Sequence, residues 1–396
     1  MKGGIYMAFF IRFIACMLVV CICLGERQFV FADEDLNMYS GGYVLMDGDT
    51  GRVLAGKEEK TPMANASTTK ILTCIVTLEN CQLEEEVTVS KNAANQPRVR
   101  LGIKEGEIYQ LKELIYGLML ESYNDCAVAI AEHVSGSVEE FAKAMNEKAK
   151  EIGCTDTYFI TPNGLDAEDE TSFHHTTAED LCRIMAYCTW ESPASEKFLE
   201  ITQTRNYGEF VNRNSFLNQM EGVLTGKTGF TNKAGYCYVA ALERNGERYC
   251  IALLACGWPN NKNYKWKDAK TLFEYAIENY DKKNVLVKEY KNNIIVNGIV
   301  SKPQFENLNK EGSLCINASE RIYKILIKEG ENIEVKTEIY PLRKYPIQEG
   351  MQMGECKVYV EDTLVDVYPI VANENVYMWE WKEIFNTIFY QFLTFS

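Results

Sequence analysis

The tightest constraint in this chain is the stretch Asn65-Ala66-Ser67-Thr68-Thr69-Lys70, followed at once by the apolar run Ile71-Leu72-Thr73-Cys74-Ile75-Val76. Ser67 sits where a helix is expected to begin, and that helix should run to about Cys81. Positions i and i+3 share one helix face, so the Ser67 hydroxyl and the Lys70 amine point into one space. A serine hydroxyl is a poor nucleophile until a base takes its proton. Lysine can be that base where burial and neighbouring positive charge disfavour the ammonium. The apolar residues after Lys70 supply the burial. Taken alone, the same four residues read as well as an N-cap serine followed by a surface lysine.

Two further motifs tip the balance towards chemistry. Ser67 is the only serine with a lysine three residues later, and Lys227-Thr228-Gly229 is the only K-T-G, on a strand just before a hairpin. Between them, Ser122-Tyr123-Asn124 falls at a break after the apolar segment 114–120. Ser90-Lys91-Asn92 has the same S-x-N form. Ser122 is preferred because it follows a buried-looking helix and sits where side chains can face a cleft.

The segments around these motifs predict an α+β domain over residues 33–283. Gly42–Asp47 and 52–55 read as strands joined by the turn Gly48-Asp49-Thr50-Gly51. A mostly helical stretch covers 111–153, with breaks at 121–124 and at Ser135-Gly136-Ser137. Thr176-Thr177-Ala178-Glu179 is a capping box for a helix over 181–190. Strands at 236–243 and 248–255 flank Asn245-Gly246, a strong hairpin signal, and a helix over 266–280 closes the domain. Strands at both ends with helices between them predict one antiparallel sheet with an inserted helical lobe.

Residues 284–372 read as a small all-β domain. Ile333, Val335, Thr337 and Ile339 alternate with charged residues as in a half-buried strand, and strands are expected at 292–296, 322–327 and 356–360. Over 376–396, Trp381, Ile384, Phe385, Ile388, Phe389, Phe392 and Leu393 fall on one helical face. That face suits an amphipathic anchor lying in a membrane interface, or docking on the β domain. Lys2 and Arg12, the apolar segment 13–24 and Val30-Phe31-Ala32 make residues 1–32 a signal peptide, so an exported protein is expected. Its removal takes Cys16, Cys21 and Cys23 of the 14 cysteines, leaving an odd, scattered set that looks like buried thiols rather than a disulfide framework. No C-x-x-C pair occurs and histidine is confined to His133, His174 and His175, so no metal site is expected, and the two adjacent histidines read as structural. A net charge of −15 argues against a nucleic-acid partner.

In this order, S-x-x-K, S-x-N and K-T-G form the motif set of β-lactamases and penicillin-binding proteins. The chain resembles the low-molecular-mass penicillin-binding proteins, the serine-type D-alanyl-D-alanine carboxypeptidases. Ala66-Ser67-Thr68-Thr69-Lys70, Ser122-Tyr123-Asn124-Asp125, Asn163-Gly164-Leu165, Lys227-Thr228-Gly229-Phe230-Thr231 and Ala234-Gly235-Tyr236-Cys237 carry the likeness. The β domain and tail resemble that family's C-terminal parts more loosely. Asn65 stands where a proline is usual, and little consequence is expected.

The resemblance implies a β-lactamase/transpeptidase-like domain, no cofactor, and peptidoglycan stem peptides ending in D-Ala-D-Ala as substrate. It implies that Ser67 forms the acyl-enzyme, that Lys70 takes its proton, and that Ser122 and Asn124 complete the catalytic set. Lys227, Thr228, Gly229 and Phe230 would bind substrate, with the N–H groups of Ser67 and Phe230 as oxyanion donors. β-Lactam antibiotics would acylate Ser67, and the enzyme would work at the outer face of the bacterial cytoplasmic membrane. A class A β-lactamase needs a further glutamate, and no E-x-x-L-N lies between Ser122 and Lys227. A non-catalytic penicillin-binding sensor is the remaining alternative.

Overall fold

A computed structural model describes residues 36–297, 299–300, 311–342 and 346–377, together with Phe385, Phe389 and Leu393. The signal peptide read at 1–32 lies outside these residues, as does the tail apart from those three. They are helical and exposed apolar side chains.

Strands β1 (Gly42–Asp47) and β2 (Val53–Lys57) form the expected hairpin. Buried Asp47 holds its turn by accepting from Asp49 N at 2.9 Å and the Thr50 hydroxyl at 2.7 Å. Helices α1 (Lys70–Asn80), α2 (Asn124–Ser135), α3 (Val138–Ile152) and α4 (Ala178–Ala186) follow. Then come β3 (Val223–Thr231), β4 (Gly235–Arg244), β5 (Glu247–Leu254) and helix α5 (Tyr264–Asn279). The five strands make one antiparallel sheet in the order β2-β1-β5-β4-β3, with the helical lobe inserted between β2 and β3. Asn245 and Gly246 take φ of 55° and 79°, the double positive φ that a tight β4–β5 hairpin needs.

Helix α1 is the axis of this domain. Its residues from Lys70 to Thr77 are all buried, so it has no solvent face over two turns. Ile71, Leu72 and Ile75 join one core with Val44 and Met46 of β1 and Val239 of β4. Each such side chain contributes roughly 1.5–3 kcal/mol on burial. The consequence for chemistry is that Lys70, first in this helix, is held in apolar surroundings.

Some boundaries differ from expectation. The α-helix begins at Lys70 rather than Ser67, because Ala66 takes φ +49° and Ala66–Thr69 forms a tighter 3-10 turn. Helix α4 is capped by Thr177, whose Oγ1 accepts from Asp180 N at 3.0 Å, while the Thr176 hydroxyl is engaged with Thr157. Tyr280 ends no helix. It opens β6 (Tyr280–Val287), which runs through the division at 283/284.

Beyond it lie β7 (Tyr290–Asn297), β8 (Glu311–Ala318), β9 (Arg321–Lys328), β10 (Ile333–Ile339), β11 (Gln352–Val360) and β12 (Thr363–Ala372). Five of these form an antiparallel sheet in the order β7-β8-β12-β11-β10, and β6 pairs with β9. Strand β10 is at the sheet edge, which leaves Val335 and Thr337 exposed where half-burial was expected. Arg52, on the β1–β2 turn, is buried against this region, with Glu331 at 2.8 Å and Leu326 O at 2.6 Å. Among the described residues no helix is long and apolar enough to cross a membrane, and all cysteines are free. Every described cysteine except Cys81 and Cys315 is buried.

Candidate active site

Three separate segments converge on the start of α1. Lys70 Nζ lies 2.8 Å from Ser67 Oγ, 2.9 Å from Asn124 Oδ1 and 2.8 Å from the carbonyl oxygen of Asn163. Lys70 is fully buried. Burial, and then the charge of Lys227, hold its pKa well below the ordinary lysine value. A neutral amine has two N–H bonds and one lone pair. The two carbonyl oxygens take the two N–H groups, which leaves the lone pair for the Ser67 proton.

Ser122 follows a wider π-type turn, Gly117–Glu121, and takes φ +67°. That left-handed residue breaks the helix and lets α2 restart at Asn124. Ser122 Oγ accepts from Lys227 Nζ at 2.9 Å, and Lys227 also donates to Thr228 O at 3.0 Å. Burial pushes the Lys227 pKa down to about 7.

Lys227, Thr228, Gly229 and Phe230 lie on β3, the edge strand beside Ser67. A Cβ at Gly229 would sit 2.9 Å from Asn65 O and 3.0 Å from Ser67 N. Glycine is therefore required here for the Ser67 turn itself to approach the strand. This packing role is additional to the substrate binding that the resemblance implies for Gly229. Phe230 is 39% exposed and packs on Tyr236 at 4.6 Å between ring centroids.

The structure adds residues to which motif reading gave no role. Asn163 supplies a carbonyl to Lys70, and its side chain donates to Gln96 at 3.1 Å. Asp125 is fully buried and accepts from the backbone N–H groups of Leu101 and Gly102 at 3.0 and 2.7 Å. It thereby holds the 96–103 loop, from which Val99 O accepts from Asn124 N at 2.8 Å. Both residues were visible as parts of motifs, but Asn163 acts through a backbone carbonyl, which leaves no side-chain signal, and the Asp125 carboxylate binds a loop more than 20 residues away.

Asn65 is a correction. It is fully buried, and its Nδ2 donates to the hydroxyls of Thr68 and Thr69 at 3.1 and 2.9 Å. Thr69 in turn lies 2.9 Å from His174 Nε2, while His174 Nδ1 accepts from Ile160 N at 3.0 Å. An Nδ1 that accepts puts the proton on Nε2, so His174 donates to Thr69. Burial pushes the His174 pKa down to about 3, so the ring is neutral and structural.

Taken together, a hydroxyl on a helix start, a buried amine of lowered pKa against it and a second serine–lysine pair facing it define a serine acyl-transfer centre with a lysine base. The sequence profile of the D-alanyl-D-alanine carboxypeptidase family matches residues 29–255. The chain belongs to that family of serine hydrolases. It is similar to D-alanyl-D-alanine carboxypeptidase DacF of Bacillus subtilis (strain 168), being 29% identical over 390 residues, 92% of this chain and 94% of the relative. Its fold is similar to that of penicillin-binding protein 5 from Haemophilus influenzae, with a TM-score of 0.66 at 22% identity over 86% of this chain and 98% of that one. Penicillin-binding protein D2 of Listeria monocytogenes, solved with cefotaxime bound, has a TM-score of 0.53 at 25% identity over 60% of this chain and 96% of that one.

Proposed function

We propose that the protein is a serine DD-carboxypeptidase that removes the terminal D-alanine from peptidoglycan stem peptides. The observation that carries the reading is the desolvated Lys70 amine, 2.8 Å from Ser67 Oγ. Ser67 Oγ attacks the carbonyl carbon between the two D-alanines, and its proton passes to Lys70 Nζ. The C–N bond then breaks, and Ser122 relays a proton to the departing nitrogen. Water hydrolyses the resulting ester and restores Ser67. Asn124 fixes Lys70, while charged Lys227, with Thr228, meets the terminal carboxylate. The N–H groups of Ser67 and Phe230 receive the oxyanion, and losing one such donor costs ~100–1,000-fold in rate. A β-lactam takes the same path as far as the acyl-enzyme.

The test is to incubate the purified protein with a pentapeptide ending in D-Ala-D-Ala. Free D-alanine should appear, and intact mass after penicillin should rise by one penicilloyl group on Ser67. A protein that acylates without releasing D-alanine is a sensor, and one without an adduct on Ser67 does not use this mechanism.

The reading has the enzyme exported, its tail on the extracellular face of the bacterial cytoplasmic membrane. Phe385, Phe389 and Leu393 are exposed by 70, 59 and 62% and recur every four residues on one helical stripe. Each contributes up to roughly 1.5–3 kcal/mol if buried in lipid. Val376 is buried in the β region and exchanges backbone hydrogen bonds with Ile347, so the truncation begins after Tyr377 rather than at 376. Full-length protein should float with liposomes in a way insensitive to salt, and protein lacking residues 378–396 should stay in solution with an unchanged melting midpoint. Loss of several degrees on truncation, without flotation of the full chain, would instead mean docking on the β region.

A further inference from the structure

At the ends of α1 and α2 remote from Ser67, three side chains of different chemistry converge. Cys81 follows α1 directly, its N–H on Thr77 O at 2.9 Å. Glu85 leads into the strand Glu86–Thr88, and His133 lies in the last turn of α2. His133 Nε2 and Glu85 Oε2 are 2.9 Å apart. The Cys81 sulfur, a carboxylate oxygen of Glu85 and a ring nitrogen of His133 all lie within 4.8 Å of one another. The three residues are half-buried, so solvent reaches them from one side.

The short loop is held from behind. Glu85 Oε1 accepts from Gln82 N at 2.6 Å, which leaves Oε2 to face the imidazole. The carbonyls of Leu83 and Glu85 accept from Lys112 N and Leu111 N at 2.9 and 2.8 Å. Such outer bonds orient ligating groups before an ion arrives. Cys81 is also distinct among the thiols of its domain: the other described cysteines before Cys315 are all buried.

We propose that Cys81 Sγ, Glu85 Oε2 and His133 Nε2 form a binding site for one divalent ion of the zinc type, with water as fourth ligand. A thiolate, an imidazole and a carboxylate suit Zn²⁺ or Co²⁺ and not the harder Mg²⁺ or Ca²⁺. At Zn–S of about 2.3 Å and Zn–N or Zn–O of about 2.0–2.1 Å, tetrahedral ligand pairs sit roughly 3.3–3.6 Å apart. The three groups reach those separations by small side-chain movements. On binding, the S–H bond gives way to S–Zn and the proton leaves to solvent. Thiolate and carboxylate together neutralise the ion. The bound ion ties the C-terminal ends of two helices whose N-terminal ends carry Lys70 and Asn124. His133 lies 48 residues from Glu85, and Cys81 has no second cysteine at C-x-x-C spacing, which is why motif spacing predicted no metal.

The test is a Co²⁺ titration of the full chain under reducing conditions, read by absorbance. A thiolate-to-cobalt charge-transfer band should saturate at one equivalent, disappear on adding Zn²⁺, and be absent in Cys81→Ser and His133→Gln. Saturating Zn²⁺ should raise the melting midpoint of the wild type by about 2–4 °C and leave both variants unmoved. On wild-type protein alone, Zn²⁺ should protect Cys81 from alkylation, read by peptide mass, and leave Cys315 unprotected. No charge-transfer band, or equal protection of Cys81 and Cys315, overturns the proposal, as does an undiminished band in Cys81→Ser.

Discussion

Lys70→Ala is expected to slow acylation of Ser67 by penicillin ~10²–10⁴-fold, the span that a positioned general base supplies. The fold should survive. Removing the amine deprives the Asn124 and Asn163 carbonyl oxygens of a donor at 2.9 and 2.8 Å, at about 1–3 kcal/mol for each unsatisfied group. Against that, the variant no longer buries an amine in apolar surroundings, which is itself unfavourable. The two effects oppose, so the melting midpoint moves far less than the rate. Single-turnover acylation and a melting curve on the same preparation check both halves. Wild-type acylation in the variant would require another base.

The same burial sets the pH profile. Lys70 must be neutral to accept the proton, so activity falls as pH drops through its lowered pKa. Lys227 must be charged to hold a carboxylate, and burial puts its pKa at about 7 in the free enzyme. The alkaline limb of kcat/KM, which reports free enzyme, should therefore begin near about 7. In kcat it should move upward, because the bound carboxylate keeps the ammonium charged. Coincident alkaline limbs would take that role away from Lys227. Stability from Lys227 runs the other way. Between about 7 and the ordinary 10.5, the unfolded chain binds the Lys227 proton and the folded chain does not. Stability from this group rises with pH across that window and is lost as pH falls through about 7.

Much of this was legible because it is local. Ser67 and Lys70 are three residues apart, Asn245-Gly246 announces its hairpin, and alternation marks the late strands. The apolar run after Lys70 correctly foretold a buried amine. What stayed hidden depends on pieces distant in sequence meeting in space. Asn163 acts through a backbone carbonyl, which any residue possesses. Asn65 looked like a tolerated departure, yet its amide bonds to Thr68 and Thr69. Val335 was placed half-buried from its alternation, but alternation cannot say that β10 is an edge strand on which Val335 is left exposed.

Among the described glycines, Gly164→Ala should be the most damaging added methyl. Gly164 takes φ +78°, where an alanine costs roughly 1–2 kcal/mol in strain. Its new Cβ would also collide with the carbonyl of Ala66 and stand 2.8 Å from Thr69 Oγ1. Neither neighbour can swing aside. Ala66 O accepts from Thr69 Oγ1 at 2.9 Å, and Thr69 is held in turn by Asn65 and His174 at 2.9 Å each. On the other side of the Ser67 turn, Gly229 already approaches so closely that a methyl there would be 3.0 Å from Ser67 N. The turn is clamped between two glycines, so the Asn163–Gly164 backbone must retreat and take its carbonyl away from Lys70. Overpacking adds ~1–3 kcal/mol to the strain, for a total of ~2–5 kcal/mol and a melting midpoint lower by ~5–15 °C. Misplacing the base by an ångström costs ~100-fold in acylation. Gly153→Ala is the control, with φ +92° and open space around the added methyl. It should lose only the strain and acylate normally. Equal melting midpoints and equal acylation rates for the two variants would show that the Ser67 turn is not clamped as described.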